Sequence, residues 1–167
     1  AILDLNALRM NFGGRQVPHE VIEKEISSEK WDVIGIGGLT STYSRIKELS
    51  SLIRKLSPDS LFVGGGGWST YNPDEILALV PELDLLVIGE GEETFSELYD
   101  EINAGTNDFE KINGLCLRDG SGVKFTGPRA LISDLNTIPY PAYDLFEMDI
   151  YFRFSDAMPY SLESISS

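Results

Sequence analysis

Three short segments concentrate the residue types that can hold a ligand. Residues 37–43 read Gly-Gly-Leu-Thr-Ser-Thr-Tyr, residues 64–69 read Gly-Gly-Gly-Gly-Trp-Ser, and residues 89–94 read Gly-Glu-Gly-Glu-Glu-Thr. Each ordered glycine costs about 1 kcal/mol of chain entropy relative to alanine. The run Gly64, Gly65, Gly66, Gly67 therefore calls for a reason. Missing side chains let a bulky group approach the main chain and leave its N–H donors accessible. In the first segment Leu39 and Tyr43 bracket the hydroxyls of Thr40, Ser41 and Thr42; helix capping explains one hydroxyl, not three. In the third, Gly89 and Gly91 flank Glu90. A carboxylate there can accept hydrogen bonds from ligand amides or ribose hydroxyls. Glu92 and Glu93 have a sufficient structural explanation as acidic residues before a helix N-terminus. Trp68 either shields a ligand or covers a helix end.

Known phosphate motifs do not account for these segments. The glycine run is not closed by a lysine followed by Ser or Thr, so it is not a P-loop. An aromatic follows it where the dinucleotide fingerprint needs small residues. Carboxylates at the third segment oppose a phosphate. The combination suits a large, flat, amide-rich ligand better than a bare polyphosphate.

The segments need a scaffold that brings them together. Residues 31–38 (WDVIGIGG), 61–64 (LFVG) and 83–89 (LDLLVIG) are apolar runs ending in glycine. Between them, 42–56 places Ile46, Leu49, Ile53 and Leu56 at helical spacing. Asn72-Pro73-Asp74-Glu75 starts a second helix, with Ile76, Leu77 and Val80 inward. Thr94 to Glu97 reads as a capping box for a third, with Phe95, Leu98 and Ile102 inward and Gly105 at its end. Apolar strands alternating with amphipathic helices predict an α/β fold, a doubly wound parallel sheet. Ligands bind such sheets outside the carboxyl ends of the strands.

The flanks read differently. Residues 1–5 (AILDL) look like a short strand, 6–17 like a loop, and 18–30 like a helix carrying Val21, Ile22 and Ile26. Residues 112–118 and 123–126 flank Asp119-Gly120-Ser121-Gly122, a hairpin signal. Leu115 and Leu117 share a face; Cys116 points to the other and reads as a packing residue. From Gly127 the chain is punctuated by proline, as an extended strap, in which Tyr140 and Tyr143 read as anchors to a neighbouring surface. Residues 151–167 show no period. The expected division is 1–107, an α/β domain; 108–130, a hairpin appendage; and 131–167, a linker.

Composition narrows the function. The 167 residues hold 13 Lys and Arg against 27 Asp and Glu, a formal charge of −14. Nucleic acid and anionic membrane surfaces are poor partners for such a chain. One cysteine and one histidine, Cys116 and His19, exclude a disulfide framework, a cysteine-held cluster and a histidine metal site within these residues. No apolar run reaches membrane-spanning length. The chain opens at Ala1 with no signal peptide, and the expected location is cytoplasmic.

The stretch WDVIGIGGLTSTYSRIKELSSLIRKLSPDSLFVGGGGWSTYNPDEIL, with LDLLVIGEGEETFSEL after it, resembles the cobalamin (B12)-binding domain that precedes the catalytic core of many radical SAM proteins. These include anaerobic magnesium-protoporphyrin IX monomethyl ester oxidative cyclases. Gly114 to Arg118 (GLCLR), Gly127-Pro128-Arg129 and DLNTIPYPAYDLF (134–146) are similar too. The resemblance implies a flavodoxin- or Rossmann-like sheet, here lacking its first strand, with 1–5 as the second. Cobalamin would lie against 39–43, 64–68 and 89–92. No residue here would be catalytic. A [4Fe-4S] cluster and S-adenosylmethionine would belong to a downstream domain, since the chain stops at Ser167 before any cluster motif. The parent would be an oxidative cyclase or methyltransferase working on a tetrapyrrole or another unreactive carbon. His19, in Val17-Pro18-His19-Glu20, does not match the Asp-x-His-x-x-Gly loop that supplies a lower axial ligand in cobalamin mutases. An exposed sheet edge would offer self-association. Two other readings stand beside this one: a structural or interaction module that binds no cofactor, and a flavodoxin-like nucleotide binder.

Overall fold

The structure, a computed structural model, describes residues 1–120 and 122–155. Ser121, within the expected hairpin turn, and 156–167, most of the unassigned tail, lie outside the described residues. In chain order the elements are α1 (Leu5–Asn11), α2 (His19–Ile26), β1 (Val33–Gly37), α3 (Tyr43–Leu56), β2 (Leu61–Gly65), α4 (Pro73–Leu79), β3 (Leu85–Val87), α5 (Glu92–Ala104), β4 (Leu115–Asp119), β5 (Gly122–Phe125) and α6 (Met148–Ser155). The described residues fall into two compact units: 26–138, and 1–25 with 139–155.

The larger unit holds one five-stranded sheet in the order β1-β2-β3-β4-β5. The first three strands are parallel; β3–β4 and β4–β5 are antiparallel. The expected parallel sheet and the expected hairpin are thus both present, and the hairpin continues the sheet through β3. Val63, Leu85 and Val87 pack with Leu98 of α5, Ile112 and Leu115 into a buried core. Phe62 and Leu86 alternate to the opposite face and are also fully buried. Burial on both faces explains why β2 and β3 are apolar at nearly every position. The end of α4 is closed from a distance: Arg118 on β4 donates to the carbonyls of Leu77, Val80 and Leu83 at 2.7, 3.1 and 2.8 Å. Gly105 caps α5 at φ +70°, as its position after the helical period predicts.

The smaller unit corrects the reading of the first residues. The run at 1–5 is not a strand. Asp4 accepts hydrogen bonds from the amides of Asn6 and Ala7 at 2.9 and 3.0 Å and caps α1. Local capping at Asp4 outweighs the strand preference of four apolar neighbours. The other oxygen of Asp4 accepts the Tyr151 hydroxyl of α6 at 2.5 Å. A helix, α6, therefore occupies the start of a stretch whose sequence shows no period. Among the described residues no helix is long and apolar enough to cross a membrane.

Candidate functional site

Strand register places the three glycine-bearing segments side by side. Gly37 pairs with Gly65 and Gly64 with Leu86, so β1, β2 and β3 end at one edge of the sheet. The residues just past each strand form a tip there.

At the first tip, Leu39, Thr40, Ser41 and Thr42 are exposed. Thr42 is engaged within the turn: its hydroxyl donates to Leu39 O at 2.7 Å and accepts from Leu39 N at 3.2 Å. A Cβ on Gly38 would fall 2.6 Å from Thr42 Oγ1, so this closure needs glycine. Thr40 and Ser41 face solvent. Tyr43 starts α3 half-buried; its hydroxyl is buried without a hydrogen-bond partner among the described residues. Its ring lies 6.4 Å from that of Trp68, tilted 46°.

The second tip divides its glycines between two tasks. Gly64 is buried, and a Cβ there would meet Leu86 Cδ2 at 2.5 Å and Trp68 Cζ2 at 3.2 Å. Its bareness makes room for the protein's own side chains. Gly65 closes β2, and its carbonyl accepts Trp68 Nε1 at 2.7 Å. Trp68 is 4% exposed, so it packs beneath the tip. Gly66 turns the chain at φ +93°, and a Cβ there would sit 3.2 Å from Gly38 O, which shows how closely the first two tips approach. Gly67 is exposed, and a Cβ on it would meet no described residue within 4 Å.

At the third tip Gly89 has φ +74° and open space around its missing side chain. Gly91 packs closely, with a Cβ placed 3.3 Å from Val87 Cγ1. Glu90 and Glu92 are exposed. Glu90 has a protein partner: its carboxylate accepts the Ile132 amide at 2.9 Å. The helix begins at Glu92, two residues before the capping box read from the sequence. Thr94 is not the cap because it is drawn inward. It is fully buried, donates to Asn113 O at 3.2 Å and accepts from Arg129 Nε at 2.9 Å.

Ser69, Thr70 and Arg129, absent from the expected site set, hold the tips together. Ser69 Oγ bonds both Gly66 O and Val87 O, at 3.0 and 3.3 Å. Thr70 Oγ1 donates to Gly66 O at 3.2 Å and accepts Gly89 N at 3.4 Å. The pair of hydroxyls one residue past the glycine run, after Trp68, was the available signal. Arg129 fastens α5 through Glu93 and Glu97; its guanidinium pKa is held above the ordinary value, mainly by the hydrogen bond to Glu97. Proline-flanked arginine in a strap gave no local signal. The resulting face is bare main chain at Gly66, Gly67 and Gly89, with exposed hydroxyls on one side and carboxylates on the other.

Known proteins resemble this chain in sequence and in fold. An uncharacterised methyltransferase of Pyrococcus horikoshii is 32% identical over 141 residues, covering 84% of this chain and 30% of that protein. An anaerobic magnesium-protoporphyrin IX monomethyl ester cyclase of Synechocystis is 33% identical over 104 residues, covering 62% of this chain and 21% of that protein. The chain thus spans less than a third of the length of these curated relatives. Among solved structures, the cobalamin-dependent S-adenosylmethionine radical enzyme OxsB with aqua-cobalamin bound superposes with a TM-score of 0.66 at 22% identity, covering 82% of this chain and 19% of that one. The radical S-adenosylmethionine methyltransferase TsrM of Kitasatospora setae, with cobalamin and a [4Fe-4S] cluster bound, gives 0.60 at 20% identity, covering 81% and 27%. These two likenesses establish the α/β fold. The model of the B12 binding domain matches residues 2–99, more than half of the sequence, and the chain belongs to that family.

Proposed function

We propose that this chain is the cobalamin-binding module of a larger radical SAM enzyme, an oxidative cyclase or methyltransferase. One observation carries the reading: a B12-binding family member presents three adjacent strand tips with bare main chain between hydroxyls and carboxylates. The residues fit the group. We read the exposed main chain at Gly66, Gly67 and Gly89, open around the missing side chains of Gly67 and Gly89, as a shallow cradle that a broad ring can approach. Bound cobalamin would supply a methyl carrier or an electron-transfer partner. Within the chain, 39–43 and 66–67 would line one side of the ligand, and 89–92 the other. Trp68, packed under Gly64, would stiffen the cradle from below. Glu90, which accepts the Ile132 amide of the strap with one oxygen, would offer the other to the ligand.

The [4Fe-4S] cluster, S-adenosylmethionine and the reacting substrate would belong to the remainder of the parent protein. The tips contain no histidine, so we expect cobalt without an imidazole from this chain; His19→Ala should leave the spectrum of bound cobalamin unchanged. The compartment we propose is the cytoplasm, where thiols such as Cys116 stay reduced. Edge-to-edge association of two copies through β1 is a further proposal, supported by exposed Gly35 and Gly37 on that outer strand.

Titration with hydroxocobalamin tests the reading. Saturable binding with a spectral change is the expected result. No binding at high micromolar ligand, by absorbance and calorimetry together, would leave an interaction module, which the filling of the space at Gly64 by Trp68 and Leu86 favours.

A further inference from the structure

We infer that Arg129 is the positioning residue of the third tip, clamping the strap onto α5 so that Gly89, Glu90 and Gly91 hold one conformation. The inference rests on the cobalamin-binding reading for its effect on ligand, and on geometry alone for the clamp.

Arg129 lies in the strap yet its side chain is only 15% exposed. All five of its N–H donors are used. Nε reaches Thr94 Oγ1 at 2.9 Å; Nη1 reaches Glu93 and Glu97 at 3.2 and 3.0 Å; Nη2 reaches the second Glu97 oxygen and Asn113 O at 3.3 Å. Three segments meet at this fork: the first turns of α5, the turn before β4, and the strap. The middle one is already riveted to the end of β3 and to the strap. Gly114 O accepts Ile88 N and Gly114 N donates to Gly127 O, each at 2.8 Å. Gly114 must be glycine, with φ +84° and a Cβ position 2.8 Å from Thr94 Oγ1.

Three residues beyond Arg129, the Ile132 amide bonds Glu90. The strap is thus fastened on both sides of Gly91. A tip with glycines at 89 and 91 has little stiffness of its own, since glycine accepts many backbone conformations. The two fastenings supply it. Arg129 also offsets the charge of Glu93 and Glu97 next to the exposed Glu90 and Glu92. Because strap and tip share these bonds, ligand that favours the ordered tip favours the docked strap, and the coupling runs both ways.

Amide hydrogen exchange on the ligand-free chain, paired with hydroxocobalamin titration, tests this. Arg129→Met should raise exchange at 88–94 and 130–133 by about tenfold or more while β2 is unchanged, and should weaken hydroxocobalamin binding by about fivefold or more. Arg129→Lys keeps the charge but cannot span Thr94, Glu97 and Asn113 together, so its exchange should stay near that of Arg129→Met. Unchanged local exchange in Arg129→Met, full recovery in Arg129→Lys, or faster exchange with unaltered affinity would each overturn the inference. If Arg129→Met does not fold, Glu97→Gln removes one side of the fork and carries the same expectation at smaller size. If the unmodified chain takes up no hydroxocobalamin, the functional reading fails, and the exchange comparison still decides whether Arg129 fixes the tip.

Discussion

Arg54 Nη2 donates to Asp84 Oδ2 at 2.6 Å, and that same oxygen accepts the Phe62 amide at 2.7 Å. One carboxylate oxygen therefore joins the last turn of α3 to the start of β2 and the approach to β3. Arg54 adds hydrogen bonds to the carbonyls of Pro58, Ser60 and Glu82, and its guanidinium lies 5.7 Å from the centre of the Phe62 ring. This lock sits at the amino ends of the strands, and the bare tips at their carboxyl ends. The stabilising lock and the proposed ligand face thus lie at opposite edges of the sheet.

Arg54→Met should accordingly destabilise the chain by about 1–3 kcal/mol, through carbonyls and a carboxylate left without their donor. Asp84 is 44% exposed, so the Coulombic part is screened and the hydrogen bonds carry most of the loss. Urea unfolding measures the change. Hydroxocobalamin affinity under folding conditions should not move; a loss of affinity as large as the loss of stability would contradict the separation of the two edges.

Two glycines of one run should answer alanine in opposite ways. Gly64→Ala forces a methyl against Leu86 and Trp68 and should cost about 1–3 kcal/mol of stability. Gly67→Ala meets open space and should leave stability within about 0.5 kcal/mol. The same Gly67 change should weaken hydroxocobalamin binding, because its methyl stands where the ligand would lie. Equal affinities for Gly67→Ala and the unmodified chain would place the ligand elsewhere.

Cys116 is 1% exposed, and its thiol pKa is raised first by burial and then by the charge of Asp74. The unfolded thiol titrates near about 8.5. A group raised on folding stabilises fully below its unfolded value and loses that contribution as pH rises through its folded value. The urea midpoint should therefore fall as pH is taken above the unfolded value, and Cys116→Ala should remove that part of the slope. Thiol reagents at neutral pH should label the folded chain far more slowly than the unfolded one.

Gly35 stands on β1, which pairs only with β2 among the described residues, and a Cβ there meets no described atom within 4 Å. A lysine at an open edge opposes strand addition. Gly35→Lys should preserve the fold and abolish any concentration-dependent association seen by sedimentation velocity. Association that survives the substitution would assign it to another surface.

Much of the α/β frame was legible because its signals are local. Ile46, Leu49 and Ile53 declare a helical face within eight residues, and the runs at 61–64 and 83–89 declare strands buried on both sides. Proximity of the three glycine segments follows from parallel pairing alone. The misreadings share one cause. Asp4 turned an apolar run into a helix start through two side-chain bonds, and Thr94 lost its expected capping role to Asn113 and Arg129.

By itself, then, the sequence determined the alternation of strand and helix, the family resemblance and the three bare tips, since apolar period and glycine content are properties of neighbouring residues. Only the tertiary structure decided which glycines face solvent and which make room for Leu86 and Trp68, and where the carboxylate of Glu90 is directed. Those outcomes depend on bonds such as Glu90 to Ile132, 42 residues apart, which exist only after β4 and β5 have joined the sheet and carried the strap back across α5.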